Sequence, residues 1–182
     1  MKKIIGIAGN ARSGKDTVGH MIHDICVSKG KRAKVVSFAA ALRAELDSFC
    51  MTQLGISAYT TDDAEKKILR PLLVCWGTEI RRAQAENYWI EALKQSMNDE
   101  ETYYIITDLR FLNEMNWIKK NCGVTIYLDR ASIAPANHYE KENNAILEKL
   151  VDYVWEMPTT RDMDVLTKYV EKIYLHSFKN IL

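Results

Sequence analysis

Cysteine is sparse and poorly spaced for metal or disulfide chemistry: the four residues, at positions 26, 50, 75 and 122, form no C-x-x-C pair. That excludes the usual zinc frameworks and a disulfide-stapled scaffold, and it predicts a reducing, cytoplasmic setting. Cys26 and Cys75 fall within helical patterns and are expected as small core residues. No apolar run approaches the roughly 20 residues of a membrane span. The run after Lys3 is also too short for a secretory leader. Charge of one sign is not in excess either. With 25 basic and 24 acidic residues the net charge is +1, so no overall field draws the chain toward nucleic acid or a membrane, and neither is expected as a partner. Repeats and low-complexity tracts are missing, which excludes solenoids and disordered tails.

What is present begins at Ile4. An apolar run, Ile4-Ile5-Gly6-Ile7-Ala8, leads into Gly9-Asn10-Ala11-Arg12-Ser13-Gly14-Lys15, which fits G-x-x-x-x-G-K, and helical spacing follows. Glycine at the two ends of such a turn lets several backbone N–H groups converge on one phosphate. Lys15 adds a mobile positive charge for the outer phosphates. The hydroxyl residue that usually follows the lysine is replaced by Asp16, with Thr17 after it. Either offers hard oxygen ligands suited to Mg²⁺. The sequence thus predicts a nucleotide site at residues 9 to 17 with ATP and Mg²⁺ as its ligands.

A chain of 182 residues buries one substantial core and is short for two independent domains, so a single domain over 1–182 is expected. Strands are predicted near 34–38, 103–107, 124–128 and 152–156, alternating with helices. The expected fold is therefore α/β: a doubly wound parallel sheet of five strands, helices on both faces, of the P-loop NTPase type. Residues 39–100 form a long helical excursion between the second and third strands, and 130–142 a short lid-like segment. Within the excursion, Asp62 and Glu65 form a capping box, and Pro71 ends one helix or starts the next. His20 and His23 lie one turn apart with no third ligand nearby and are read as helix-surface residues. Arg43 lies near the carboxyl end of the second strand, where ligands of open α/β sheets collect. Asp108 and Arg110 occupy the same position after the third strand. There a carboxylate suits a metal or a water and a guanidinium suits a phosphate.

A guanine-reading switch is expected to carry N-K-x-D after a late strand, and no such segment occurs. A small-molecule phosphotransferase fits best. Its rivals are a kinase for another phosphorylated acceptor, such as phosphomevalonate or dephospho-coenzyme A, and a nucleotide-binding module without transfer activity.

The blocks ARSGKDT at 11–17, SFA at 37–39, WGTEIRR at 76–82, NYWI at 87–90 and TDLRFLNE at 107–114 span nearly the whole chain. In these the sequence resembles the bacteriophage deoxynucleoside monophosphate kinases, within the nucleoside monophosphate kinase group. The resemblance implies transfer of the γ-phosphoryl of ATP to a deoxynucleoside 5′-monophosphate, in the host cytoplasm if a phage encodes the chain, and leaves a homodimer open. It implies Lys15, Arg110 and Arg130 as the catalytic set, with Arg130 the lid residue, and Gly9 to Thr17 around the ATP phosphates. Asp16, Thr17 and Asp108 would form the metal shell. Arg43, Arg70, Arg82 and Arg110 would hold the acceptor phosphate, with Asp108 beside them. Phe38, Trp76 and Trp89 would stack on its base, and Thr78 and Glu79 would meet the base edge. His138 and Glu142 complete the set through a weaker match in the lid, where the family's His-x-x-Glu register is displaced by one residue.

Overall fold

The computed structural model describes residues 3–131, 133–136, 138–160 and 162–177. Ser132 and Asn137 of the lid-like segment lie outside the described residues.

The first strand, β1 (Lys3–Gly9), is buried along nearly its whole length. β3 (Tyr103–Ile106) and β4 (Val124–Asp129) flank it in parallel register, Ile5 pairing with Ile105 on one side and Val124 on the other. Strands covered on both faces read as continuous apolar runs, as YYII and VTIYL do. β2 (Ala33–Val36) and β5 (Tyr153–Glu156) complete the order β2-β3-β1-β4-β5, all parallel. As an edge strand, β5 alternates: Trp155 is buried and Val154 exposed. The order reverses about β1, so the loops leaving the carboxyl ends of β1, β3 and β4 meet at a switch point where such sheets bind ligands.

Helix α1 (Lys15–Ser28) follows the phosphate loop and packs Val18, Met21, Ile22, Ile25 and Cys26 into the main core. Its Cys26 Sγ lies 3.3 Å from the hydroxyl of Tyr174 on α8 (Met163–Ser177), and burial raises the pKa of that thiol. Gly19 is the tightest point of the α1 packing. A Cβ there would fall 2.3 Å from Thr107 Cγ2. Glycine is needed for space, because Thr107 is β-branched and buried and cannot swing clear. We expect Gly19→Ala to lower stability by about 1–3 kcal/mol, the usual cost of overpacking. Chemical denaturation would measure it, and an unchanged midpoint would contradict this packing.

The chain divides into two compact units, one of residues 1–36 with 99–182 and one of 37–98. The second is helical: α2 (Ala39–Leu54), α3 (Asp63–Val74), a π-helical stretch Cys75–Arg81, the short α4 (Arg82–Gln84) and α5 (Tyr88–Ser96). Its own core gathers Leu46, Cys50, Ala58 and Leu69, with Leu42, Ile56, Leu72, Leu73 and Trp76 against them. Asp62 caps α3 by accepting from the amides of Ala64 and Glu65, while the Glu65 carboxylate takes the Thr60 hydroxyl. Pro71 lies inside α3 and neither ends nor starts an element, contrary to expectation. It cannot donate to the carbonyl four residues back, yet Leu69, Leu72 and Leu73 pack on both sides of it and hold the helix through. Cys75 is exposed, also against expectation, because the chain widens into π turns at that residue and the 3.6-residue phase no longer applies.

The remaining helices, α6 (Leu112–Lys120) and α7 (His138–Leu150), belong to the first unit. No helix among the described residues is long and apolar enough to cross a membrane.

Candidate active site

The loop between β1 and α1 turns tightly. Gly9 has φ of 138° and its absent Cβ would meet the Leu128 carbonyl oxygen at 2.7 Å, so both conformation and space demand glycine. The Ser13 amide donates to the Asn10 carbonyl at 3.1 Å, closing the turn. Gly14 sits at the N-cap of α1 in the left-handed region and brings no capping side chain. The first amides of that helix therefore point into the loop, with the positive end of the helix dipole behind them.

Lys15 reaches back along the loop, its Nζ donating to the Gly9 carbonyl at 2.8 Å and the Asn10 carbonyl at 2.7 Å. Burial, reinforced by the Arg110 guanidinium, lowers its pKa to about 8; Glu140, Asp16 and Asp108 oppose the shift. Four charged side chains from separate parts of the chain thus all act on Lys15 at the phosphate loop. A nucleotide polyphosphate would restore the Lys15 charge, so above pH 8 the complex holds more protons than the free protein. We therefore expect ATP binding to take up a proton at pH 8.5 and to weaken by about threefold between pH 8 and 9, as a roughly tenfold preference for the charged lysine requires. Calorimetry in buffers of different ionisation enthalpy would read the uptake, and its absence would count against this picture.

Asp16, next on α1, is exposed, and its Oδ1 accepts the hydroxyl of Thr107 at 2.6 Å. Thr107 directly follows β3, and Asp108 and Arg110 come after it at the sheet edge. Leu109 between them is buried, its amide bonded to the Ile7 carbonyl at 3.2 Å. Among the described residues no group of three or more His, Cys, Asp or Glu side chains forms a metal cluster. The carboxylates of Asp16 and Asp108, which both act on Lys15, still suit Mg²⁺, which takes few protein ligands and completes its shell with phosphate oxygens and water.

Arg130 leaves β4 and donates through Nη2 to the Pro158 carbonyl at 3.3 Å. It lines a cavity of about 220 Å³ together with Ser13, Gly14, Thr17, Met157 and Leu166. Ser13 Oγ and Arg130 Nε are both buried without a hydrogen-bond partner among the described residues. Buried polar atoms are rarely left so, and a ligand in the cavity would satisfy them.

The lid-like segment is tied to the loop. The Asn10 side-chain amide donates to the Ile133 carbonyl at 2.7 Å, and Asn144 donates to Asn10 Oδ1 at 2.8 Å. The Ala11 amide donates to Glu140 Oε1 at 2.9 Å. His138 and Glu142 instead meet on the exposed surface of α7, with Nε2 3.1 Å from Oε1. Glu140 lay outside sequence reasoning. Its only local signal is its place in the first turn of a helix, where acids are common.

The helical unit carries the other candidates. Phe38 is buried at the N-cap of α2, and Arg43 and Arg70 are exposed on α2 and α3. Thr78 and Glu79 lie in the π-helical stretch, and Arg82 donates to the Glu86 carbonyl at 3.3 Å. Trp89 is buried, with its indole N–H on the Gly77 carbonyl at 2.9 Å. Trp76 donates to Glu45 at 2.9 Å and is covered by the guanidinium of Arg81, which also bonds Glu45 at 3.0 Å. Tyr88 donates to the same carboxylate. Arg81 is therefore the residue of the arginine pair that builds this aromatic cluster.

The family model described as phosphomevalonate kinase matches residues 7–124. A phosphomevalonate kinase from Drosophila melanogaster is 26% identical over 125 residues, covering 68% of this chain and 63% of that protein. The chain thus matches less than two thirds of that relative's length. Among solved structures, shikimate kinase from Bacteroides thetaiotaomicron is 12% identical, covers 94% of this chain and 98% of its own, and superposes with a TM-score of 0.50. Shikimate kinase from Aquifex aeolicus is 17% identical, covers 98% of each chain and gives a TM-score of 0.48. The first of these likenesses shows the fold alone: a P-loop kinase sheet with its helices.

Proposed function

The chain belongs to the phosphomevalonate kinase family, and from that premise we propose that it transfers the γ-phosphoryl of ATP to a small phosphomonoester, phosphomevalonate being the first acceptor to test. The observation that carries this reading is the gathering of Lys15, Arg110 and the α1 N-terminus about one glycine-bounded loop. Phosphoryl transfer asks the protein mainly for alignment and charge neutralisation, and these groups supply both.

We assign the loop amides and Lys15 to the β- and γ-phosphates. Arg110 would hold the acceptor phosphate in line with the γ-phosphorus, its fork of donors matching two oxygens at once. The acceptor oxygen then attacks phosphorus while the bond to the bridging oxygen breaks, leaving ADP. Asp16, with Thr17 and Asp108, would hold Mg²⁺, and the Thr107 hydroxyl fixes which oxygen of Asp16 faces outward. When bound, that ion supplies neutralisation of the phosphate charge. The cavity under Arg130, with its methionines and two unsatisfied polar atoms, fits the nucleoside end of ATP. In the helical unit, Arg43, Arg70 and Arg82 are the cations we assign to acceptor recognition, with Thr78 and Glu79 as its polar contacts.

A second reading, a deoxynucleoside 5′-monophosphate acceptor, is favoured by the blocks WGTEIRR and DLRFLNE. Against it, Trp76 and Trp89 are engaged in packing and hydrogen bonds rather than presented as stacking platforms. Steady-state ADP release with Mg·ATP and each candidate acceptor decides between them: phosphomevalonate and the common deoxynucleoside and ribonucleoside monophosphates. Acceptor-dependent release with phosphomevalonate supports the first reading, and release only with nucleotides supports the second. ATP binding with no acceptor-dependent release would overturn both.

A further inference from the structure

Glu114 carries a carboxylate that is 1% exposed, on the first turn of α6. Burying a charge is costly unless something specific is gained. Its Oε2 accepts from two backbone amides, that of Arg110 at 2.9 Å and that of Phe111 at 3.1 Å. Phe111 is the N-cap of α6 and offers no capping oxygen, so Glu114 takes the N-cap amide as the third residue of a capping box does. The Arg110 amide lies one residue further out and is no part of helix capping. A serine or aspartate at 111 would cap the helix from the surface without fixing residue 110.

The segment from 109 to 111 is thereby held on both sides. The Leu109 amide is tied to β1 through the Ile7 carbonyl, and the next two amides are tied to Glu114. What projects from this clamped backbone is the exposed side chain of Arg110, whose charge already acts on Lys15. We infer that Glu114 is a positioning residue: it fixes the Arg110 backbone so that the guanidinium is aimed at the acceptor phosphate before the acceptor arrives. This rests on the reading of Arg110 as a phosphate ligand. Small misplacements of an orienting group lose large factors in rate, which is what such a clamp prevents.

The experiment compares Glu114→Ala, Glu114→Gln and Arg110→Ala in the full chain, with phosphomevalonate and deoxythymidine 5′-monophosphate each assayed as acceptor. Hydrogen exchange at the Arg110 and Phe111 amides and thermal midpoints are measured alongside. Glu114→Ala is expected to speed exchange at both amides and to raise the acceptor KM about tenfold, with the ATP KM within twofold. In the Arg110→Ala background it should add less than twofold, since the group it aims is gone. Glu114→Gln keeps an acceptor oxygen and should retain most of the wild-type KM, which keeps the test open if the alanine variant folds poorly. An equal effect of Glu114→Ala with and without Arg110, or a parallel rise in both KM values, would overturn the inference. So would faster exchange with an unchanged acceptor KM, provided Arg110→Ala raises it. An Arg110→Ala enzyme with unchanged acceptor KM and kcat would instead remove the reading of Arg110 itself, and this inference with it.

Discussion

Lys15→Ala is expected to lower kcat by at least about two orders of magnitude, roughly 2.7 kcal/mol of transition-state stabilisation, while the ATP KM rises much less. The asymmetry follows from the loop. Its amides and the dipole of α1 survive the substitution and continue to hold phosphate, because Gly9 and Gly14 set the turn and Lys15 does not. What is lost is a half-buried cation held against two carbonyls and within the influence of a second cation, Arg110. Such a charge is strained in the free protein and relieved when negative charge gathers beside it, so its benefit is concentrated where charge on the transferred group is greatest. Arginine should rescue poorly, since a planar fork cannot reproduce the two carbonyl contacts made by a compact ammonium. Acceptor-dependent ADP release by the alanine variant at near wild-type rate would contradict the assignment. A change in ATP binding alone, with no acceptor-dependent turnover even in the wild type, would point to a nucleotide-binding module.

The loop was legible in the sequence because everything that defines it is local: an apolar strand, two glycines and a lysine within 15 residues. The five-strand parallel sheet was legible for a related reason, since βαβ units announce themselves by alternating periods. The contacts that organise the site are of another kind. Thr107 meets Asp16 across 91 positions and Glu140 meets Ala11 across 129, and no periodicity records such pairings. In the helical unit, proline chemistry marks Pro71 as a helix boundary, and a constant 3.6-residue phase places Cys75 inward. Packing around Leu69, Leu72 and Leu73, and the π stretch after them, overrode both. Acceptor identity was the least legible feature. The blocks that resemble deoxynucleoside monophosphate kinases and the family match over residues 7–124 concern the same scaffold. A change of acceptor rests on a few side chains whose partners the sequence does not name.

Arg110→Ala should reduce kcat/KM for the acceptor by about 10²-fold and leave the ATP dissociation constant within about threefold. Arg110 is exposed at the end of a clamped loop, so its removal leaves no buried partner without a bond and the fold should be unaffected. Its charge nevertheless reaches Lys15, which gives a second readout that does not depend on knowing the acceptor. The guanidinium is one cause of the depressed Lys15 pKa, after burial, so taking it away must raise that pKa above about 8. The sign is fixed: a neighbouring cation disfavours the ammonium, and its loss favours it. The pH at which ATP affinity begins to fall should therefore move upward in Arg110→Ala, and proton uptake at pH 8.5 should shrink. Loss of acceptor use together with that alkaline shift would place one guanidinium in contact with both halves of the reaction. Loss of acceptor use without the shift would separate Arg110 from the phosphate loop and leave it an acceptor residue only.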